Sequence, residues 1–128
     1  MSLPKNIRPF NWLSLILFVL LVACGKSLPT FEAVNLEEWK ADAQGCTGKR
    51  SAMEQAIRNE KDKLLALNEK QIIRLLGRPD QNELYKRNQK FYTYFITEGP
   101  SCETPSENPK KLIVRFTAMG LANEVTVE

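Results

Sequence analysis

The chain has 128 residues, with 18 Lys and Arg against 15 Asp and Glu, three cysteines and no histidine. Without an imidazole there is no general base for Ser–His or Cys–His nucleophilic catalysis, so those enzyme classes are excluded. The small positive excess is not the basic footprint that nucleic-acid binding requires.

Met1 to Trp12 carries Lys5 and Arg8 and no acid, and Leu13 to Ala23 is apolar apart from Ser14. A basic start, a short apolar run and small residues before a cut describe a secretory signal. The run is shorter than the roughly 20 residues a membrane-spanning helix needs. Leu21-Val22-Ala23-Cys24 resembles the bacterial lipobox. The resemblance implies cleavage before Cys24 and a covalent lipid on that residue, with several acyl chains giving stable anchoring where one is marginal. An ordinary signal peptide with a chance cysteine, or a short membrane anchor, is the competing reading. The expected organisation is a signal over 1–23, a lipidated tether over 24–35 and a single domain over 36–128. Lys5 and Arg8 leave with the signal, so the remaining chain is close to neutral. It is small enough, at about 105 residues, that its core is modest unless something staples it.

Export places Cys46 and Cys102 where disulfides form. A bridge between them closes a loop of about 57 residues, worth about 4 kcal/mol on the chain-entropy model. The alternatives are a pair of free buried thiols or a metal site. The metal site lacks a histidine or third thiol to complete a zinc set.

Leu36 to Asp42 reads as a short helix capped by Asn35, with Trp39 as its packing residue. Thr47 to Leu67 reads as the main helix, through the stripe Met53, Ile57, Leu64 and Leu67, although Glu60 falls inside that stripe. Asn68 to Leu76 is a second helix with Asn68 and Gln71 placed as a capping box. Gly77 and Pro79 stop it, the glycine in the left-handed conformation. The period then changes to two. Gln81 to Arg87 is a weak strand, and Asn88-Gln89 turns it into Lys90 to Thr97, rich in aromatic residues. Glu98 to Pro109 is a loop carrying Cys102. Lys110 to Ala118 alternates with Leu112, Val114 and Phe116 on one face. After a turn at Met119-Gly120, Leu121, Asn123, Val125 and Val127 share one face of a last strand. The expected fold is α+β: two helices packed on one face of a three- to four-stranded antiparallel sheet, with the other face open.

The order Gln71-Ile72, Leu76-Gly77-Arg78-Pro79, Tyr92 or Tyr94, Leu112-Ile113-Val114-Arg115-Phe116 and Gly120-Leu121 resembles the SmpA/OmlA (BamE-like) family of small outer-membrane lipoproteins. The resemblance spans roughly Lys63 to Val127, and the same helix–helix–sheet unit recurs in secreted β-lactamase inhibitor proteins. It implies a non-catalytic protein-binding lipoprotein, an accessory of outer-membrane β-barrel assembly or envelope integrity, facing the periplasm. Gly25 after the lipidated cysteine fits outer-membrane sorting, since Asp there favours inner-membrane retention in enterobacteria. Two departures stand out. Ala66-Leu67-Asn68 replaces the family's usual Gly-Met-Thr, and the Cys46/Cys102 pair is not part of the family pattern.

Other chemistry is thinly represented. Gly45-Cys46-Thr47-Gly48-Lys49-Arg50 lacks the glycine and the Ser or Thr that a phosphate loop needs. Glu37, Glu38, Asp80, Glu83, Glu98, Glu103 and Glu107 are scattered acids that read as solvated surface. No metal and no cofactor beyond the lipid are expected. If Leu112, Val114 and Phe116 face the helices, Ile113 and Arg115 face outward. Either Phe91 and Phe95 or Tyr92, Tyr94 and Ile96 join them. Tyrosine suits a half-wet face, and Tyr and Arg recur at interface hot spots. The candidate partner-binding face is therefore Tyr92, Tyr94, Ile113 and Arg115, against a reading in which these aromatics are core. Three roles follow: an envelope protein-binding module, an inhibitor or ligand-binding lipoprotein of the same fold, or an enzyme of unfamiliar type.

Overall fold

The computed structural model describes residues 27–128. The expected signal, Cys24 and Gly25 lie outside those residues. The architecture is α+β. Four short helices, α1 (Leu36–Ala41), α2 (Lys49–Ala52), α3 (Glu54–Glu60) and α4 (Glu69–Leu76), precede four strands. The strands β1 (Gln81–Tyr85), β2 (Gln89–Phe95), β3 (Lys111–Phe116) and β4 (Ala122–Val127) form an antiparallel meander in chain order.

Local chemistry explains the helix ends. Asn35 Oδ1 accepts from the N–H groups of Glu37 and Glu38, so α1 starts there. Asn68 and Gln71 exchange two hydrogen bonds of 2.9 Å in a full capping box. Gly77 ends α4 at φ 81° and ψ −174°, not in the left-handed helical region. Only glycine adopts that backbone readily, and it turns the Gly77 carbonyl toward the Tyr94 hydroxyl at 2.8 Å.

The single main helix expected over Thr47 to Leu67 is broken instead. α2 and α3 are separated at Met53, a 3₁₀ turn follows over Lys61–Leu64, and the chain reverses at Ala66 with φ 67°. Glu60 sits in the apolar stripe because it has partners there. Its carboxylate accepts the N–H groups of Glu32 and Ala33 and bonds Lys63 Nζ at 2.7 Å. The Lys63 ammonium, with those N–H groups, holds the Glu60 carboxyl below the usual carboxylate range despite the opposing effect of burial.

Those same bonds correct the tether. Phe31 and Val34 are core residues, and Leu28 packs against that core. The folded unit therefore begins before Leu36, because the chain ahead of α1 has apolar side chains to bury and Glu60 to satisfy its backbone.

The core lies between the helices and one sheet face. Trp39, Ile57, Leu64, Ile72 and Leu76 meet Leu112, Val114 and Phe116, all with no exposure. Each such side chain contributes about 1.5–3 kcal/mol by leaving water. In β4 the pairing passes from Arg115↔Glu124 to Phe116↔Ala122, so Asn123 is an extra residue. The bulge shifts the alternation. Ala122 and Val125 are buried, while Leu121 and Asn123, expected to share a face with Val125, are exposed.

Candidate functional site

The β2–β3 register decides which aromatics face out. Tyr92 pairs with Val114 and Tyr94 with Leu112, so both tyrosines point toward the helices. Their exposures are 5% and 0%. This removes them from the expected binding face. Burial is affordable because each hydroxyl finds an internal acceptor. Tyr92 donates to Glu69 Oε1 at 2.9 Å and Tyr94 to the Gly77 carbonyl. Burial, then the Glu69 carboxylate, pushes the Tyr92 phenol up to about 12. Burial raises the Tyr94 phenol further.

Ile113 and Arg115 lie on the open face, and Phe91 takes the place assigned to the tyrosines. Together with Glu124, Thr126 and Glu128 they line a shallow hollow of about 180 Å³. Arg115 is held from two sides. Nη2 and Nε donate to Gln89 Oε1 at 2.6 and 3.2 Å, and Nη1 meets Glu124 Oε2 at 3.2 Å. Its guanidinium carbon is 5.8 Å from the Phe91 ring centroid, and Tyr85 meets that ring edge-on at 5.5 Å. A preorganised arginine over an aromatic ring, on an otherwise flat and half-wet surface, suits protein recognition. The other half of this sheet face is covered. Gly99 lies against the Phe95 ring, and Phe95 and Thr93 are 3% and 7% exposed.

The covering loop is tied down by a disulfide joining Cys46 to Cys102, whose Cα atoms are 5.5 Å apart. Beside it lies a buried polar cluster that includes Asp80, which the sequence places on the solvated surface. Arg50 is 1% exposed; its Nη1 meets Asp80 Oδ2 at 2.7 Å, and the Asp80 side chain is 4% exposed. Arg50 also donates to the carbonyls of Trp39 and Phe95, at 2.8 and 3.1 Å, and its guanidinium covers the Trp39 ring at 4.9 Å. Asp80 in turn accepts the N–H groups of Gln44 and Phe95. Asp42 accepts from Thr47 N–H and hydroxyl and from Arg50 N–H. Burial raises the Asp42 carboxyl, but those hydrogen bonds outweigh it and the net displacement is downward. Each charge has a bonded partner, so the cluster is structural cement around the end of β2.

Among the described residues no group of three or more His, Cys, Asp or Glu is placed to hold a metal ion. No helix among them is long and apolar enough to cross a membrane. No protein-family model, curated protein or solved structure matches the chain.

Proposed function

We propose that this protein is a lipid-anchored, non-catalytic module of the bacterial cell envelope that binds another protein, attached through Cys24 to the outer membrane and facing the periplasm. The observation that carries this reading is the uncovered sheet face, where Arg115 is fixed over Phe91 beside Ile113. Rigid aromatic and arginine anchors on a preformed surface are what interface energetics favours, because little side-chain entropy is lost on binding. The lipobox-like Leu21 to Cys24 supports the anchor, and the SmpA/OmlA-like order of motifs supports a partner in β-barrel assembly or envelope integrity. A helix-covered, BamE-like sheet is the finer form of the fold within this reading.

The test is crosslinked capture of the tagged full-length protein from native membranes, with Arg115→Ala and Phe91→Ala beside it. Envelope-assembly proteins recovered with the wild type and lost with both variants are the expected result. Recovery of one soluble enzyme instead transfers the role to inhibition. Equal recovery with all three proteins removes this face from the interface.

A further inference from the structure

Antiparallel ladders alternate between residues bonded to one neighbouring strand and residues bonded to the other. Ile96 N–H donates to the Lys110 carbonyl at 2.7 Å, so even-numbered residues of β2 bond toward β3. The odd ones bond toward β1, as the 2.9 Å bond from Asp80 N–H to the Thr93 carbonyl shows. Gln81, Glu83 and Tyr85 pair with Thr93, Phe91 and Gln89. The backbone groups of Asn82 and Leu84 are then directed out of the sheet, and all five residues of β1 are exposed.

The other edge is occupied over residues 121–125. Ala66 N–H donates to the Ala122 carbonyl, Lys61 Nζ to the Val125 carbonyl, and Asn68 forms a bridge with Leu121. A sheet with one bare edge can add one strand and then stops, which is the geometry of a closed two-fold dimer and not of a fibre.

We infer that β1 pairs antiparallel with β1 of a second copy of this chain, about a two-fold axis at Leu84. Charge selects that register. Centring the axis on Glu83 sets two carboxylates directly opposite, which is destabilising. Centring it on Leu84 brings Glu83 beside Tyr85 of the other copy, with Lys86 and Arg87 just beyond. Neither Lys86 nor Arg87 has an ion-pair partner among the described residues. The Leu84 N–H and carbonyl then bond their symmetry mates. The two Leu84 side chains, each 69% exposed in the single chain, meet on the helix side next to a hollow walled by Met119. Tyr85, 60% exposed, is covered on the other side.

Directly opposed residues in such a bonded pair have Cα atoms about 5.5 Å apart, which suits a disulfide. Full-length Leu84→Cys, assayed on a non-reducing gel of native membranes, therefore forms a covalent dimer, while Lys70→Cys on the exposed side of α4 does not. In sedimentation of the full-length protein in excess detergent, Glu83→Arg loses the dimer and Glu83→Arg with Arg87→Glu regains it. The inference is overturned if Leu84→Cys crosslinks no more than Lys70→Cys. It is equally overturned if the wild type sediments as a monomer throughout, or if Glu83→Arg sediments as the wild type does. Should Leu84→Cys fold poorly, the charge-swap pair decides alone.

Discussion

Replacing Arg50 by Met tests how the buried cluster holds the domain. The side chains have similar length, so the change removes charge and hydrogen bonds with little loss of volume. Three donor bonds disappear, to Trp39 O, Phe95 O and Asp80 Oδ2. Asp80 keeps its two backbone donors but loses the one cation paired with it among the described residues, at 4% side-chain exposure. Removing one partner of a buried pair costs roughly 3–5 kcal/mol, chiefly through the uncompensated charge left behind. A domain of this size has only about 5–15 kcal/mol in total. Trp39 fluorescence reports the transition directly, because the guanidinium lies over its ring. With a urea slope of roughly 1–3 kcal/mol/M, the Arg50→Met midpoint falls by about 2 M. Asp80→Asn added to Arg50→Met costs much less than Asp80→Asn alone, since the stranded charge is gone. The reasoning fails if Arg50→Met stays within about 1 kcal/mol of the wild type, or if the two changes add to within about 0.5 kcal/mol.

Three further outcomes follow from the geometry. Changing both Cys46 and Cys102 to Ser costs about 4 kcal/mol by freeing a long loop in the unfolded chain; an unaltered melting temperature contradicts this. Gly45 has φ +70°, and an added Cβ stands 2.6 Å from Thr97 O and 2.9 Å from Phe95 O. Gly45→Ala therefore loses about 3 kcal/mol or more. Gly48→Ala, with φ +83° and nothing within 4 Å, loses only about 1 kcal/mol, and equal losses refute the clash. Burial and then the Glu69 carboxylate push the Tyr92 phenol up to about 12, above its ordinary 10.0. A raised folded-state value means that its stability is complete below pH 10 and is lost as the pH rises through 12. Denaturation followed across that range drops for the wild type and less for Tyr92→Phe; equal curves count against a raised Tyr92 phenol.

The elements were legible where their signals are local. The Asn68–Gln71 capping box, the Gly77 stop and the alternation of Leu112, Val114 and Phe116 need only neighbours in sequence. The outward side of β2 was not legible in the same way. It depends on the β2–β3 register, and residues 96–110 that join those strands are too long a connection to fix it as a short turn would. A one-residue shift in that pairing exchanges Tyr92 and Tyr94 for Phe91. Tyrosine's preference for wet surfaces then misleads, because Glu69 and the Gly77 carbonyl supply inside the protein what water supplies outside. Asp80 was hidden for a related reason. Its partner is thirty positions earlier, and nothing in either local sequence announces that the two meet.

The distribution of the polar cement also bears on function. Asp42, Gln44, Arg50, Asp80, Phe95 and the disulfide gather where β2 ends, and they fix the loop that covers that part of the open face. At the opposite end lie the β1–β2 and β3–β4 connections. Leu84, Tyr85, Met119 and Leu121 stand exposed there. A small domain that binds through a flat surface needs that surface rigid, since ordering it on contact subtracts from affinity. Charges bonded at one end lock the strands from within and leave the wet half of the face, and the bare edge of β1, free of structural duty. The half of the face farther from the cement is the half that carries Phe91, Ile113 and Arg115. Strand rigidity is thus supplied from one end and recognition offered at the other. Loosening the cluster through Arg50→Met is accordingly expected to weaken partner capture even though Arg50 touches no part of that surface. Undiminished capture by a folded Arg50→Met protein separates the two ends.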